Sequence, residues 1–131
     1  MLPWNGAIEL LRNFELFGYV IPMEAARELS GIARRQTVDP NFEFIDADLE
    51  HCRVGLMNAL NAFLDVKGVE MFPTEDAMNL TIPREWKLDT PDRYYSAAEK
   101  LETAASELCE AYDNLVRLAR RKLKDDIAHI A

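Results

Sequence analysis

The stretch TPDRYYSAAEKLETAASELCEAYDNLVRLARRKLKDDIAHIA, residues 90–131, decides the fold. It opens on Thr90 and Pro91, a hydroxyl suited to an N-cap and a proline whose missing N–H is not needed in a first helical turn. No Pro or Gly follows, so nothing stops the helix for about forty residues, roughly 60 Å at 1.5 Å per residue. Tyr94, Ala98, Leu101, Ala105, Leu108, Tyr112, Leu115, Ala119 and Leu123 recur at steps of three and four, one apolar seam on a polar helix. Beside the seam, Ala104, Ala105 and Ala111 let a neighbouring helix come close. A helix this long is either a spine for shorter helices or a surface offered to a partner.

Working upstream, residues 68–90 hold Pro73 and Pro83 but also Met71, Phe72, Met78, Leu80, Ile82 and Trp86. Six large apolar side chains argue for an ordered crossover, and the alternation Met78, Leu80, Ile82 allows a short extended segment paired with Val69–Phe72. Before it, Leu49, Cys52, Leu56, Ala59, Leu60, Phe63 and Leu64 form the clearest amphipathic helix, starting near Asp46 and ending before Gly68. The carboxylates of Asp46, Asp48 and Glu50 suit the positive end of its dipole. Two further helices precede it. One runs from Trp4 to about Tyr19, with Asn5 as N-cap and Gly18 at its end; the other opens at Pro22 with Ala25, Ala26, Leu29, Ile32 and Ala33 on one face. Between helices two and three, Asp39-Pro40-Asn41 marks a turn, with Phe42 and Phe44 tucked onto the core. The expected architecture is all-α: an antiparallel four-helix bundle, a single domain over residues 1–131, with one long C-terminal helix and an ordered crossover at about 68–90.

The 131 residues, 49% apolar and 29% charged, suffice for one core without metal or disulfide support. Cys52 and Cys109 both fall in helices and read as buried free thiols, which points to a reducing, cytoplasmic setting. No apolar run approaches the ~20 residues of a transmembrane helix. Met1-Leu2-Pro3-Trp4 lacks the basic region of a signal peptide.

Charge is unevenly distributed. Residues 1–116 carry 10 basic against 21 acidic side chains, a net −11, whereas residues 117–131 carry 5 against 2, a net +3. The acidic body disfavours nucleic acid and an anionic membrane surface, both of which need a basic face. The basic run Arg117, Arg120, Arg121, Lys122, Lys124 has two readings. It complements a helix C-terminus and makes i,i+4 pairs (Asp113–Arg117, Arg121–Asp125, Lys122–Asp126), or it docks an acidic protein or the acidic body of a second copy.

Catalytic material is sparse. The chain has no Gly-rich phosphate loop, nucleophile elbow, zinc-protease helix or paired-cysteine motif, and only two His. Asp48–His51 and Asp126–His129 share the acid-x-x-His spacing of bundle di-metal centres. Their phase is wrong: His51 lies about 100° from the Leu49–Cys52–Leu56 seam and His129 about 200° from Ile127, so neither faces inward. No cofactor is called for.

Three segments, Ala111–Arg120, Leu11–Gly18, and Phe72-Pro73 with Pro83-Arg84-Glu85-Trp86, resemble an uncharacterised bacterial all-helical domain. These are packing motifs. The resemblance implies a bacterial source and a recurrent helical domain, and it carries over no activity.

The sequence thus predicts a non-enzymatic interaction or structural module whose partner is a protein or a second copy. Its contact residues are Arg117, Arg120, Arg121, Lys122 and Lys124 with Leu118 and Ile127. The alternative is a small apolar-ligand binder with the 68–90 crossover as its lid.

Overall fold

The computed structural model describes residues 5–16, 18–38 and 46–130, and their side chains except those of residues 5, 36–38 and 125–130. Phe42 and Phe44, expected on the core, lie outside the described residues, as do Trp4 and Phe17 of the first expected helix. In chain order the elements are α1 (Asn5–Arg12), β1 (Val20–Pro22), α2 (Met23–Val38), α3 (Ala47–Glu70), β2 (Phe72–Pro73), β3 (Asn79–Thr81), α4 (Glu85–Asp89) and α5 (Pro91–Ile130).

α5 and α3 are the frame. The Thr90 carbonyl accepts the Arg93 and Tyr94 N–H groups and opens α5 at the predicted proline. α3 starts at the predicted cap: Asp46 Oδ1 accepts the N–H of Asp48 at 2.9 Å and of Leu49 at 3.1 Å. The two helices run antiparallel. Lys122 near the end of α5 reaches Asp46 at the start of α3, while Ala62 and Val66 late in α3 border the Ser96–Glu107 stretch of α5. Between them Leu56, Leu60 and Phe63 meet Leu101, Ala104, Ala105 and Leu108, all buried. The small alanines permit the close approach expected of them. α1 lies on α5 and α2 on α3.

The crossover at 68–90 is ordered, as expected, and takes the form of a sheet corner and a short helix. The antiparallel sheet has the order β1-β3-β2, with Ile21 opposite Leu80 and Phe72 opposite Thr81. Leu80, Ile82 and Met71 turn into the core. Both edge strands end in proline, Pro22 and Pro73, which removes donors from the open edges and discourages addition of another strand. α4 docks through Trp86, whose ring meets Phe72 edge-to-face at 5.9 Å and carries the Arg93 guanidinium 4.0 Å from its centroid.

The structure supports a coarser description than an antiparallel four-helix bundle. The described residues form a mostly helical chain of five helices with a small three-stranded sheet. The sheet and α4 are additions to the expected bundle, and two helix ends also differ. α1 stops at Arg12 instead of running to about Tyr19: the Asn13 and Phe14 N–H groups bond Leu10 O and Leu11 O in tighter turns, and Gly18 and Tyr19 in left-handed backbone (φ +70° and +59°) lead the chain into β1. Tyr19 tolerates this conformation through its N–H to Phe14 O, a ring contact with Phe14, and a hydroxyl that donates to Glu102 at 2.9 Å. α3 also passes Gly68 and ends at Glu70, its last turn held by the buried Glu70 and Met71.

Candidate interaction surface

The buried seam of α5 comprises Ala97, Ala98, Leu101, Ala104, Ala105, Leu108, Cys109, Tyr112 and Leu115. Half a turn from it, at steps of three and four, stand Glu99, Glu102, Thr103, Ser106, Glu110, Asn114, Arg117, Arg120, Arg121 and Lys124, all exposed. Glu99 and Arg117 each lie nine residues from Leu108, two and a half turns at 3.6 residues per turn, so they point directly away from the core. Apart from Lys100, the exposed charges on this side of the helix are acidic from Glu99 to Glu110, Glu107 included, and basic from Arg117 to Lys124.

Between the two blocks sits Asp113, half-buried and tied to α1. Arg12 Nη1 donates to its Oδ2 at 2.9 Å and Nη2 to its Oδ1, a bidentate pair. The hydrogen bond from Arg12 holds the Asp113 carboxyl below its ordinary range, and the same bond raises Arg12. The pair closes one end of a groove of about 460 Å³ between α1 and α5, lined among others by Leu11, Phe14, Glu102, Ser106 and Glu110. Burial raises the Cys109 thiol on the groove floor, and burial followed by the Glu102 hydrogen bond raises the Tyr19 phenol. Both shifts favour the protonated, unreactive form at neutral pH.

The predicted contact residues do not all share one environment. Arg117, Arg120, Arg121 and Lys124 are exposed on the outward stripe, with Arg117 donating to Asn114 Oδ1 at 3.3 Å. Leu118 is half-buried, and the Ile127 side chain lies outside the described ones. Lys122 faces α3, where its Nζ lies 2.8 Å from Asp46 Oδ2 and 3.2 Å from Asp48 Oδ2. The Asp46 hydrogen bond raises Lys122, and the Lys122 bond lowers Asp46. Lys122 thus fastens the end of α5 to the cap of α3. Asp113 likewise pairs with Arg12 across the fold. The Asp125 and Asp126 side chains of the other two expected helix pairs lie outside the described ones.

The acidic half of the stripe was not singled out from sequence. Its signal was available, because Glu99, Glu102 and Glu110 keep the same phase relative to the apolar seam as the basic residues do. His51 is exposed on α3, and the His129 side chain lies outside the described ones. Among the described residues no group of three or more His, Cys, Asp or Glu side chains is placed to hold a metal ion, and no helix is long and apolar enough to cross a membrane.

The chain matches no family model, no curated protein and no solved structure. The three segments of the bacterial resemblance fall in α5, in α1 and its turn, and at β2 and the start of α4. They serve a mostly helical fold and bring no family with them.

Proposed function

We propose that this protein is a non-enzymatic interaction module that works through the outward face of α5, with the basic residues Arg117, Arg120, Arg121 and Lys124 contacting an acidic protein surface. One observation carries the reading: the exposed charges of the stripe are acidic up to Glu110, Lys100 excepted, and basic from Arg117 to Lys124. Mixed signs are the ordinary pattern of a solvated helix face, whereas a sorted face gives a directional field that steers and orients a charged partner. The proline-ended sheet edges favour helix-face docking over strand addition. A cytoplasmic setting in a bacterial cell belongs to the same reading, and the two free thiols support a reducing compartment.

The ligand-binding alternative would place its ligand beneath a crossover whose Met71, Leu80 and Ile82 are themselves core side chains. The proposal is tested by affinity capture from lysate of the source organism, using the intact protein beside a folded Arg120→Glu/Arg121→Glu/Lys124→Glu variant. The expected result is a stoichiometric protein recovered by the intact form alone. Equal recovery by both forms overturns the proposal.

A further inference from the structure

We infer that the partner of the α5 stripe is a second copy of this chain, bound antiparallel across a two-fold axis that passes beside Asp113 and Asn114. This inference rests on the interaction reading above and supplies its occupant. A partner for the stripe must present acid and base in the opposite order at the same helical spacing. The chain itself, reversed, does so by construction.

The stripe from Glu99 to Lys124 extends about 38 Å at 1.5 Å per residue. Glu110 and Arg117 lie nearly equidistant from residues 113–114, as do Glu102 and Lys124. Antiparallel pairing about that point sets Glu110 against the partner's Arg117 and Glu102 against the partner's Lys124, and the two-fold repeats both contacts. Ser106 then faces the partner's Arg120 and Arg121. A two-fold interface keeps each flank of the helix on its own side. Glu102, Ser106, Arg120 and Lys124 all lie on the α1 side of the stripe and therefore remain in register.

The centre of this arrangement supplies a second observation. Two Asp113 carboxylates close to a symmetry axis would repel each other. Here each is already neutralised by the bidentate Arg12 of its own chain, and the neighbouring Asn114 is uncharged. Thr103, Ser106 and Asn114 are small or neutral, which permits the two helices to approach.

Exposed ion pairs each contribute little and are screened by salt. The dimer therefore depends on all of its pairs together, and it dissociates as the Debye length shortens to about 3 Å at 1 M salt.

The test is sedimentation of the full chain at low and high salt, with two variants and their mixture. Arg117→Glu/Lys124→Glu makes both members of each proposed pair acidic, and Glu102→Lys/Glu110→Lys makes both members basic. Circular dichroism checks folding of each. Glu102→Gln/Glu110→Gln serves as a milder variant that keeps an acceptor for Tyr19 while removing charge. The expected results are an intact dimer at low salt that becomes monomeric at 1 M, and weakened association of the Gln variant. Each charge-reversed protein should be monomeric alone, and an equimolar mixture of the two should form a one-to-one complex, because every pair is restored across the heterodimer. A monomeric intact protein at low salt, a folded variant as dimeric as the intact chain, or a mixture that fails to associate each overturns the inference. A monomeric intact chain whose lysate partner is still lost on Arg120→Glu/Arg121→Glu/Lys124→Glu removes the second copy and leaves the interaction module standing. Failure of both experiments removes both.

Discussion

Residues 91–116 and 117–124 of α5 share one helix and one apolar period, and they differ in what covers that period. In the first region the seam from Ala97 to Leu115 is buried, and α5 packs on α3, α4 and α1. In the second, Ala119 is exposed and Leu123 is 62% exposed, although both keep the same phase. The 24 residues of α3 cannot run beside all 40 of α5, and Asp46 draws level with α5 only as far as Lys122. Hydrophobic period marks the face a helix could bury; the length of its neighbours decides how much it does bury. The first region is held by packing. The second is fastened by one lysine and offers its charges to solvent.

The comparison is most easily broken at the core. Leu108→Ala removes a fully buried side chain and is expected to destabilise the fold by about 2–5 kcal/mol, read from urea unfolding. Ile82→Ala tests the crossover by the same measurement. As part of the core, Ile82 should show a loss in the same range, about 2–5 kcal/mol, whereas a lid residue would leave stability nearly unchanged.

The junction between α1 and α5 gives smaller effects. Tyr19→Phe deletes the bond to Glu102 and should lower stability by about 0.5–1.5 kcal/mol, measured by the same unfolding curves. Asp113→Asn should lose up to about 1 kcal/mol, the range for screened, partly exposed pairs. The sign of its pH dependence follows from a folded carboxyl held below its unfolded value of about 3.9. The stabilisation is fully present above that unfolded value and is lost as pH falls through the lowered folded one. The difference in stability between the intact chain and Asp113→Asn should therefore shrink on acidification below about pH 4. At the far end, Leu123→Ala should fall within about 0.5 kcal/mol of no change. A loss comparable to that of Leu108→Ala would show the two regions to be one continuous core.

Much of this frame could be read directly from the residues. Thr90-Pro91 and Asp46 place the starts of α5 and α3, and the three-and-four spacing from Leu49 to Leu64 and from Ala98 to Leu115 identifies the faces that meet. The alternation at Met78, Leu80 and Ile82 announces β3. β1 was hidden, because three residues between two helices carry no period, and only pairing with a strand some sixty positions later makes Val20–Pro22 extended. The left-handed Tyr19 that leads into β1 was hidden for a similar reason: a tertiary bond to Glu102 supports it.

The contact surface was half legible. The basic cluster is contiguous in sequence and easily seen. Lys122 belongs to that cluster by composition, but its phase turns it toward Asp46 and Asp48. The acidic block is dispersed through an acidic chain and becomes visible only when it is placed opposite the buried seam.

The central claim is that the outward stripe of α5 is the working surface of this molecule. Parallel affinity capture with the intact protein and the folded Arg120→Glu/Arg121→Glu/Lys124→Glu variant tests it most directly. The account predicts a stoichiometric protein partner, a second copy included, retained by the intact form and absent from the variant. Identical recovery by the two forms would contradict it.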